Sequence, residues 1–295
     1  MRVFVTGATG FIGSAVVKEL IREGYTVTGL TRSEAGVQAL KAVGAQPLRG
    51  DLDDLESLRS GAAASDAVIH TAFQHDWSRF AESCEWDRRA IETMGSVLEG
   101  SGRPLLVSSG VGVAEGRAAT ENDPPFPVSA AYPRVSEGTA MALAERGVHA
   151  VVMRLPQVHD TVKQGLVTYL VQIARNKGIS AYIGEGHNRW AAAHVSDVAC
   201  LYRLALEHGS VGARYHAVAE EGVPLKEIAT AIGHGLKVPV VSIAPEQAQE
   251  HFGFLGFFAG RDGHVSSAQT RASRGWTPTG PTLLADLANM RYAQE

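Results

Sequence analysis

Residues 3–13 read Val3-Phe4-Val5-Thr6-Gly7-Ala8-Thr9-Gly10-Phe11-Ile12-Gly13. A β-branched run ends in glycines, and Ile12, Val16, Val17 and Leu20 follow at helical spacing, so the local order is strand, glycine turn, helix. Gly24 stands where that helix stops. Tyr25 to Leu30 then reads as a second buried strand, which closes a β-α-β unit of about thirty residues. Without side chains, Gly7 and Gly10 let the backbone turn sharply and approach a pyrophosphate, while Gly13 lets the helix pack close to the sheet. Amide groups and the positive end of the helix dipole then face the phosphate charge.

Outward from this unit the alternation continues. Helical stretches at Gln38 to Val43, Asp54 to Ser60, Glu85 to Glu99 and Val135 to Glu145 take turns with apolar strands at Ala45 to Leu48, Ala67 to Thr71, Pro104 to Ser108 and Ala150 to Leu155. Such alternation predicts a parallel sheet covered on both faces. After Leu155 the rhythm changes to a polar loop through His159 and Asp160, then a helix from about Gly165 to Arg175. Glycine turns follow near Gly184 and Gly186, and Asp197 to Leu206 reads as a helix returning to the sheet. Short helices at Leu225 to Ile232 and Pro245 to His251 precede an aromatic loop from Phe252 to Phe258. The expected fold is α/β, a Rossmann doubly wound parallel sheet with a smaller interleaved C-terminal lobe. Residues 1–155 form the dinucleotide-binding domain with a return element at about 194–215, and 156–193 with 216–295 form the substrate-binding lobe.

Composition narrows the function. The 31 acidic and 27 basic side chains leave a formal charge of −4, and without a long basic run a nucleic-acid partner is not expected. Cys84 and Cys200 make neither a disulfide framework nor a multi-cysteine zinc site. His70 with His75, and His187 with His194, lack a neighbouring carboxylate or cysteine in ligand-like spacing, so no metal is expected. No segment approaches ~18 uninterrupted apolar residues and the N-terminal run is broken early, which predicts a cytoplasmic protein without a membrane span. Glycine, 32 of 295 residues, exceeds its usual share of about 7%. The excess divides between the nucleotide loop and the many turns of an alternating chain.

The octet Thr6 to Gly13 resembles the cofactor loop of the extended and atypical short-chain dehydrogenase/reductase superfamily, the epimerase/dehydratase-like group. Further likenesses run nearly the whole length. Gly50-Asp51-Leu52 is similar to the segment that contacts adenine, and Ile69-His70-Thr71-Ala72 to the stretch under the cofactor ribose. Trp190 to Ala199 resembles the family's aromatic, His-Val, Asp-Val-Ala element, and Gly275-Trp276-Thr277-Pro278 its tail. The resemblance implies cofactor contacts from Gly7, Thr9, Gly10, Phe11, Ile12, Gly13, Asp51, Leu52, Thr71, Ala72, Phe73, Ser108 and Leu155. At the end of the second strand no carboxylate stands at Leu30 or Thr31 to take ribose hydroxyls. Arg32 is placed to pair with a 2′-phosphate, so NADP(H) is preferred, with NAD(H) the alternative.

In the resembling family a serine or threonine after the fifth strand bonds the substrate oxygen, a tyrosine transfers the proton, and a lysine four residues on favours phenolate. Ser109 matches the first, with Ser108 its neighbour, and Tyr132 falls where the tyrosine belongs. The fourth residue on is Ser136, so the lysine is missing, unless Arg134 or the oxidised nicotinamide supplies the charge. Pro133 makes Tyr132 extended, ahead of the helix. His159 occupies a position at the pocket's edge in the resembling family and is expected to line the pocket and share proton transfer; His194 matches a structural histidine.

Phe73, His75, Trp77, Tyr169, Trp190 and Phe252 to Phe258 are an aromatic inventory for a small or medium, partly apolar carbonyl compound, with Arg189 available for a carboxylate. The expected activity is NADP(H)-dependent reduction of such a substrate by a monomer or homodimer. A cofactor-binding redox sensor without turnover and a sugar epimerase or dehydratase are the alternatives; the absent lysine counts against the latter.

Overall fold

β1 (Arg2–Thr6) runs into the glycine turn, α1 (Phe11–Arg22) follows, and β2 (Thr26–Thr31) returns parallel to β1. The computed structural model, which describes residues 1–292, continues through α2 (Glu34–Ala42), β3 (Gln46–Arg49), α3 (Leu55–Ala63) and β4 (Ala67–His70). Next come α4 (Phe80–Leu98), β5 (Pro104–Gly110), α5 (Ser136–Glu145), β6 (His149–Leu155), β7 (Gln157–His159), α6 (Val167–Lys177), β8 (Ser180–Ile183) and β9 (Arg189–His194). The chain ends with α7 (Val195–His208), β10 (Arg214–His216), β11 (Glu220–Pro224), α8 (Leu225–Leu236), β12 (Val240–Ile243), α9 (Ala248–Phe252), α10 (Gly256–Ala259), α11 (Ala268–Arg274) and α12 (Leu283–Asn289).

The central sheet has seven parallel strands in the order β10-β6-β5-β4-β1-β2-β3. This is the expected doubly wound α/β architecture. Strand order reverses between β1 and β4, and the carboxyl ends of the strands at such a reversal leave a ligand crevice. Period-2 alternation sorts side chains to the two faces. Val3, Val5, Ile69 and Leu106 pack with α1 and α7, whereas Phe4, Val68, Leu105 and Val107 pack with α3, α4 and α5. Each fully buried valine or leucine contributes about 1.5–3 kcal/mol, so the sheet's register is strongly specified. At the end of β6, fully buried Arg154 donates to Glu137 of α5 at 2.7 and 2.8 Å.

A third core belongs to α6, α8, α12 and two small sheets, β11-β9-β7 and β12-β8. Their strands, three to six residues long, were not expected from the sequence, which shows only glycine turns there. Other boundaries differ as well, among them the start of α2 at Glu34 instead of Gln38. α4 begins at Phe80, not Glu85. Phe252 to Phe258 is not a loop but a series of short helical turns, because Phe252, Leu255 and Ala259 all bury into the third core at helical spacing. The tail is pinned by Asp197 of α7: its backbone carbonyl accepts from the Trp276 indole at 3.0 Å and its carboxylate from the amides of Thr279 and Gly280. Among the described residues no helix is long and apolar enough to cross a membrane.

Candidate functional site

A cavity of about 780 Å³ opens where the strand order reverses and extends toward the smaller sheets. Its glycine end is a backbone cradle. Gly7 has φ +66°, and a Cβ there would lie 2.7 Å from the Ala72 amide nitrogen. A Cβ on Gly13 would run into the Gly7 carbonyl oxygen and sit 2.7 Å from Thr71 Oγ1. The space is thus kept free of side chains, with the N-terminus of α1 beside it, and this fits the pyrophosphate of a dinucleotide. Gly7, Thr9, Gly10, Phe11, Ile12 and Gly13 all line it. So do Arg32, Asp51 and Leu52 at one end, and Thr71, Ala72, Phe73 and Leu155 farther in. Arg32 is largely exposed and reaches Asp51 at only 3.4 Å, while Arg49 donates to the Arg32 carbonyl and steadies the end of β2. Ser33 is occupied as the N-cap of α2, accepting from the Gly36 amide.

At the other end Ser109 and Tyr132 line the cavity. The Tyr132 hydroxyl lies beside Gly110, where a Cβ would be 3.3 Å from it. Tyr132 precedes α5, held in a turn by mutual backbone hydrogen bonds with Ser129. Burial pushes its phenol above the ordinary tyrosine value, and the Arg134 charge opposes that rise. Two expected residues are placed elsewhere. Ser108 has the parity of Leu106 and faces α7, where its hydroxyl donates to the His70 carbonyl and accepts from the Tyr202 hydroxyl, both at 2.6 Å; it does not line the cavity. His159 does not line it either. Its ring is fully buried against α12, with Nδ1 2.7 Å from Asp286 and Nε2 3.7 Å from Glu220.

The position of the missing lysine is explained by its surroundings. Ser136 is buried and donates to Asp87 Oδ2 at 2.5 Å, Asp87 Oδ1 lies 3.1 Å from His70 Nε2, and His70 Nδ1 lies 2.7 Å from Thr6 Oγ1. Burial acts to raise the Asp87 carboxyl, but the hydrogen bond from His70 and the charge of Arg134 hold it below the ordinary value. Arg134 reaches the same place from two residues earlier. Its Nε donates to Ser136 Oγ at 2.7 Å, its Nη2 to the Ser108 carbonyl at 3.1 Å, and its guanidinium lies 4.3 Å from the centre of the Phe73 ring. A guanidinium therefore lines the cavity two residues before position 136, while Ser136 itself is buried beneath it. Nothing in the sequence singled out Asp87, whose partners lie 17 and 49 residues away.

The aromatic inventory divides. Phe73, His75, Trp77, Tyr169, Trp190 and Phe258 line the cavity, whereas Phe252 is core; Phe254 stacks on Trp77 at 4.5 Å. Arg189 is not available for a ligand, because Asp262 holds it in a two-point ion pair at 2.6 and 3.0 Å. Lys163 and Arg261, in loops without motifs, line the cavity instead. Among the described residues no group of three histidine, cysteine or acidic side chains is arranged to hold a metal.

His75 has a measurable consequence. Burial, with repulsion from Arg134 and Lys163, pushes its ring down to about 4. The unfolded chain therefore takes up a proton first, so stability is full above the ordinary histidine value of 6.5 and falls as pH drops from there toward 4. His75 is open to solvent at the cavity, so screening leaves only a fraction of the stability change that such a shift would carry in a sealed interior. His75→Gln is expected to flatten the dependence of urea-unfolding stability over that window; a slope equal to the parent's would remove His75 as its source.

The fold and this cavity define a nicotinamide dinucleotide-binding protein of the oxidoreductase type. The chain belongs to the NAD dependent epimerase/dehydratase family, whose profile matches residues 3–218. It is 47% identical to the uncharacterized protein C2A9.02 of Schizosaccharomyces pombe, across 99% of this chain and 100% of that one. A 4-hydroxy-2-methyl-3-oxo-4-farnesyl-3,4-dihydroquinoline-1-oxide ketoreductase of Stigmatella aurantiaca is 28% identical, across 87% of this chain and 80% of the ketoreductase. Among solved structures, a Thermus thermophilus UDP-glucose 4-epimerase in complex with NAD superimposes with a TM-score of 0.75 at 22% identity, covering 99% of both chains. The expected kinship with extended short-chain dehydrogenases/reductases is borne out.

Proposed function

We propose that this protein is an NADP(H)-dependent reductase of a small or medium carbonyl compound. The observation that carries the reading is the continuity of one cavity from the glycine cradle to Ser109, Tyr132 and Arg134. When bound, the nicotinamide cofactor supplies the hydride. Ser109 donates a hydrogen bond to the substrate oxygen, and Tyr132 gives it a proton. A phenol raised by burial keeps that proton at neutral pH, which suits reduction and makes Tyr132 a poor base for the reverse step. Arg134 stabilises the phenolate left behind, the service a lysine at position 136 would perform. The aromatic wall excludes water from the oxygen being protonated.

NADPH titration followed by its oxidation across a panel of ketones and aldehydes tests the reading. Turnover of one or more supports it. Tight cofactor binding with no turnover on any member would favour a redox sensor, the second reading that the lysine's absence at Ser136 keeps in play.

For the cofactor, NADP(H) is favoured by Arg32, which lines the glycine end of the cavity with only a long contact to Asp51 competing for its charge. Arg32→Ala is expected to weaken NADPH roughly ten- to hundred-fold, the loss of a charge-assisted hydrogen bond, and to change NADH affinity about two-fold at most. Equal losses for both cofactors in fluorescence titrations would remove Arg32 from the phosphate site.

A further inference from the structure

We infer that the substrate of this site is an anion: a carbonyl compound carrying a carboxylate on an aromatic or similarly flat apolar frame. The inference rests on the reductase reading for the carbonyl, but its own support is the unbalanced charge of the cavity. Arg134, Lys163 and Arg261 line the substrate end, and among the described residues none of the three forms an ion pair. Elsewhere arginines are matched, as Arg79, Arg88, Arg189 and Arg203 each hold a carboxylate within 3.0 Å. Among the described residues the one carboxylate that lines the cavity, Asp51, sits beside Arg32 at the glycine end. His75, between Phe73 and Trp77, is kept neutral at pH 7 and balances nothing.

The two guanidinium groups are also pre-oriented. Arg134 stacks on Phe73 at 4.3 Å and Arg261 on Phe257 at 4.3 Å, with the adjoining Phe126 ring 5.1 Å from the same guanidinium. Phe126 in turn packs on Tyr132 with ring centroids 4.9 Å apart, which ties Arg261 to the catalytic end. A stacked guanidinium offers its N–H edge, and the plane of its neighbours guides a flat ligand toward that edge. Arg134 spends Nε and Nη2 on Ser136 and Ser108, and Arg261 spends Nε on the Phe257 carbonyl, which leaves Nη1 of the first and both terminal nitrogens of the second for a carboxylate. Cations without a carboxylate partner favour an acid, and the aromatic faces between them favour an apolar frame over a polyhydroxylated sugar.

The test is calorimetric binding of 4-acetylbenzoate and its neutral isostere 4-acetylbenzamide to the NADP⁺-saturated protein, repeated at raised salt. The acid is expected to bind at least ~10-fold tighter, with the preference shrinking in salt and falling to about 2-fold in Arg261→Gln/Lys163→Gln. Equal affinities, no binding of the acid, or a preference unchanged in the double variant each overturn the inference. If that variant fails to fold, the parent protein's acid-to-amide ratio and its salt dependence decide alone. Both probes are ketones, so NADPH oxidation is scored separately. Acid-selective binding without turnover of any carbonyl leaves the anion site standing and sinks the reductase reading, whereas turnover of the amide with no preference for the acid does the reverse.

Discussion

Gly13→Ala is expected to abolish useful cofactor binding, lowering NADPH affinity by about two orders of magnitude or more. The added methyl group meets the Gly7 carbonyl, part of the backbone turn, and Thr71 Oγ1, whose hydroxyl is committed to the Thr6 carbonyl at 2.8 Å. Neither is the far end of a flexible side chain that could swing aside. Overpacking of this kind costs about 1–3 kcal/mol, and relief requires displacing the loop whose amides face the phosphates. A hundred-fold loss corresponds to about 2.7 kcal/mol. Gly138 provides the control, since a Cβ there meets nothing and the residue lies within α5. Gly138→Ala is expected to bind NADPH normally and to melt slightly higher, by the helix propensity difference of about 1 kcal/mol. NADPH fluorescence titrations and thermal melts on both variants check this, and near-parental affinity in Gly13→Ala would refute the cradle.

The second large effect is expected at Arg134. Arg134→Met retains an unbranched, apolar chain against Phe73 but removes the charge. If the guanidinium stands in for the missing lysine, kcat falls about 10²- to 10³-fold, the usual loss when a charge-stabilising donor is deleted. Arg134→Lys keeps the charge and forfeits the two-point hold on Ser136 and the Ser108 carbonyl, so it recovers only part of the rate. The sign of the pH effect separates this role from packing. Removing the cation raises the Tyr132 phenol further, because burial then acts unopposed from that side. The limb on which the oxidative rate rises with pH, as the phenol loses its proton, therefore moves to higher pH. A kcat loss in Arg134→Met with that limb unmoved, or full recovery in a variant that carries no charge, would reduce Arg134 to a packing residue.

How far these features were legible beforehand differs by residue. The glycine turn was, because the uses of Gly7, Gly10 and Gly13 depend on backbone conformation within a few residues. The helix and strand alternation through Leu155 was, because each element carries its own period. Ser108 and Ser109 show where legibility stopped. They are neighbours with identical chemistry, and only the parity of β5 sends one to Tyr202 and the other to the cavity. His159 looked equally suited to a pocket, but Asp286, 127 residues later, claims it. Arg189 was lost to Asp262, 73 residues away. The short strands β7, β8, β9, β11 and β12 have too few residues to display a period and acquire their identity from pairing.

Local chemistry therefore specified a nucleotide loop, a parallel α/β sheet and a gap where a lysine should stand. Packing between distant segments decided the rest: which hydroxyls reach the cavity, which arginines are already paired, and that the Arg134 guanidinium lies at the cavity wall beside buried Ser136. The reason is physical. Backbone turns and hydrophobic periods are properties of neighbouring residues, while the direction of a side chain on a strand and the identity of its partner are set by register and by long-range contacts.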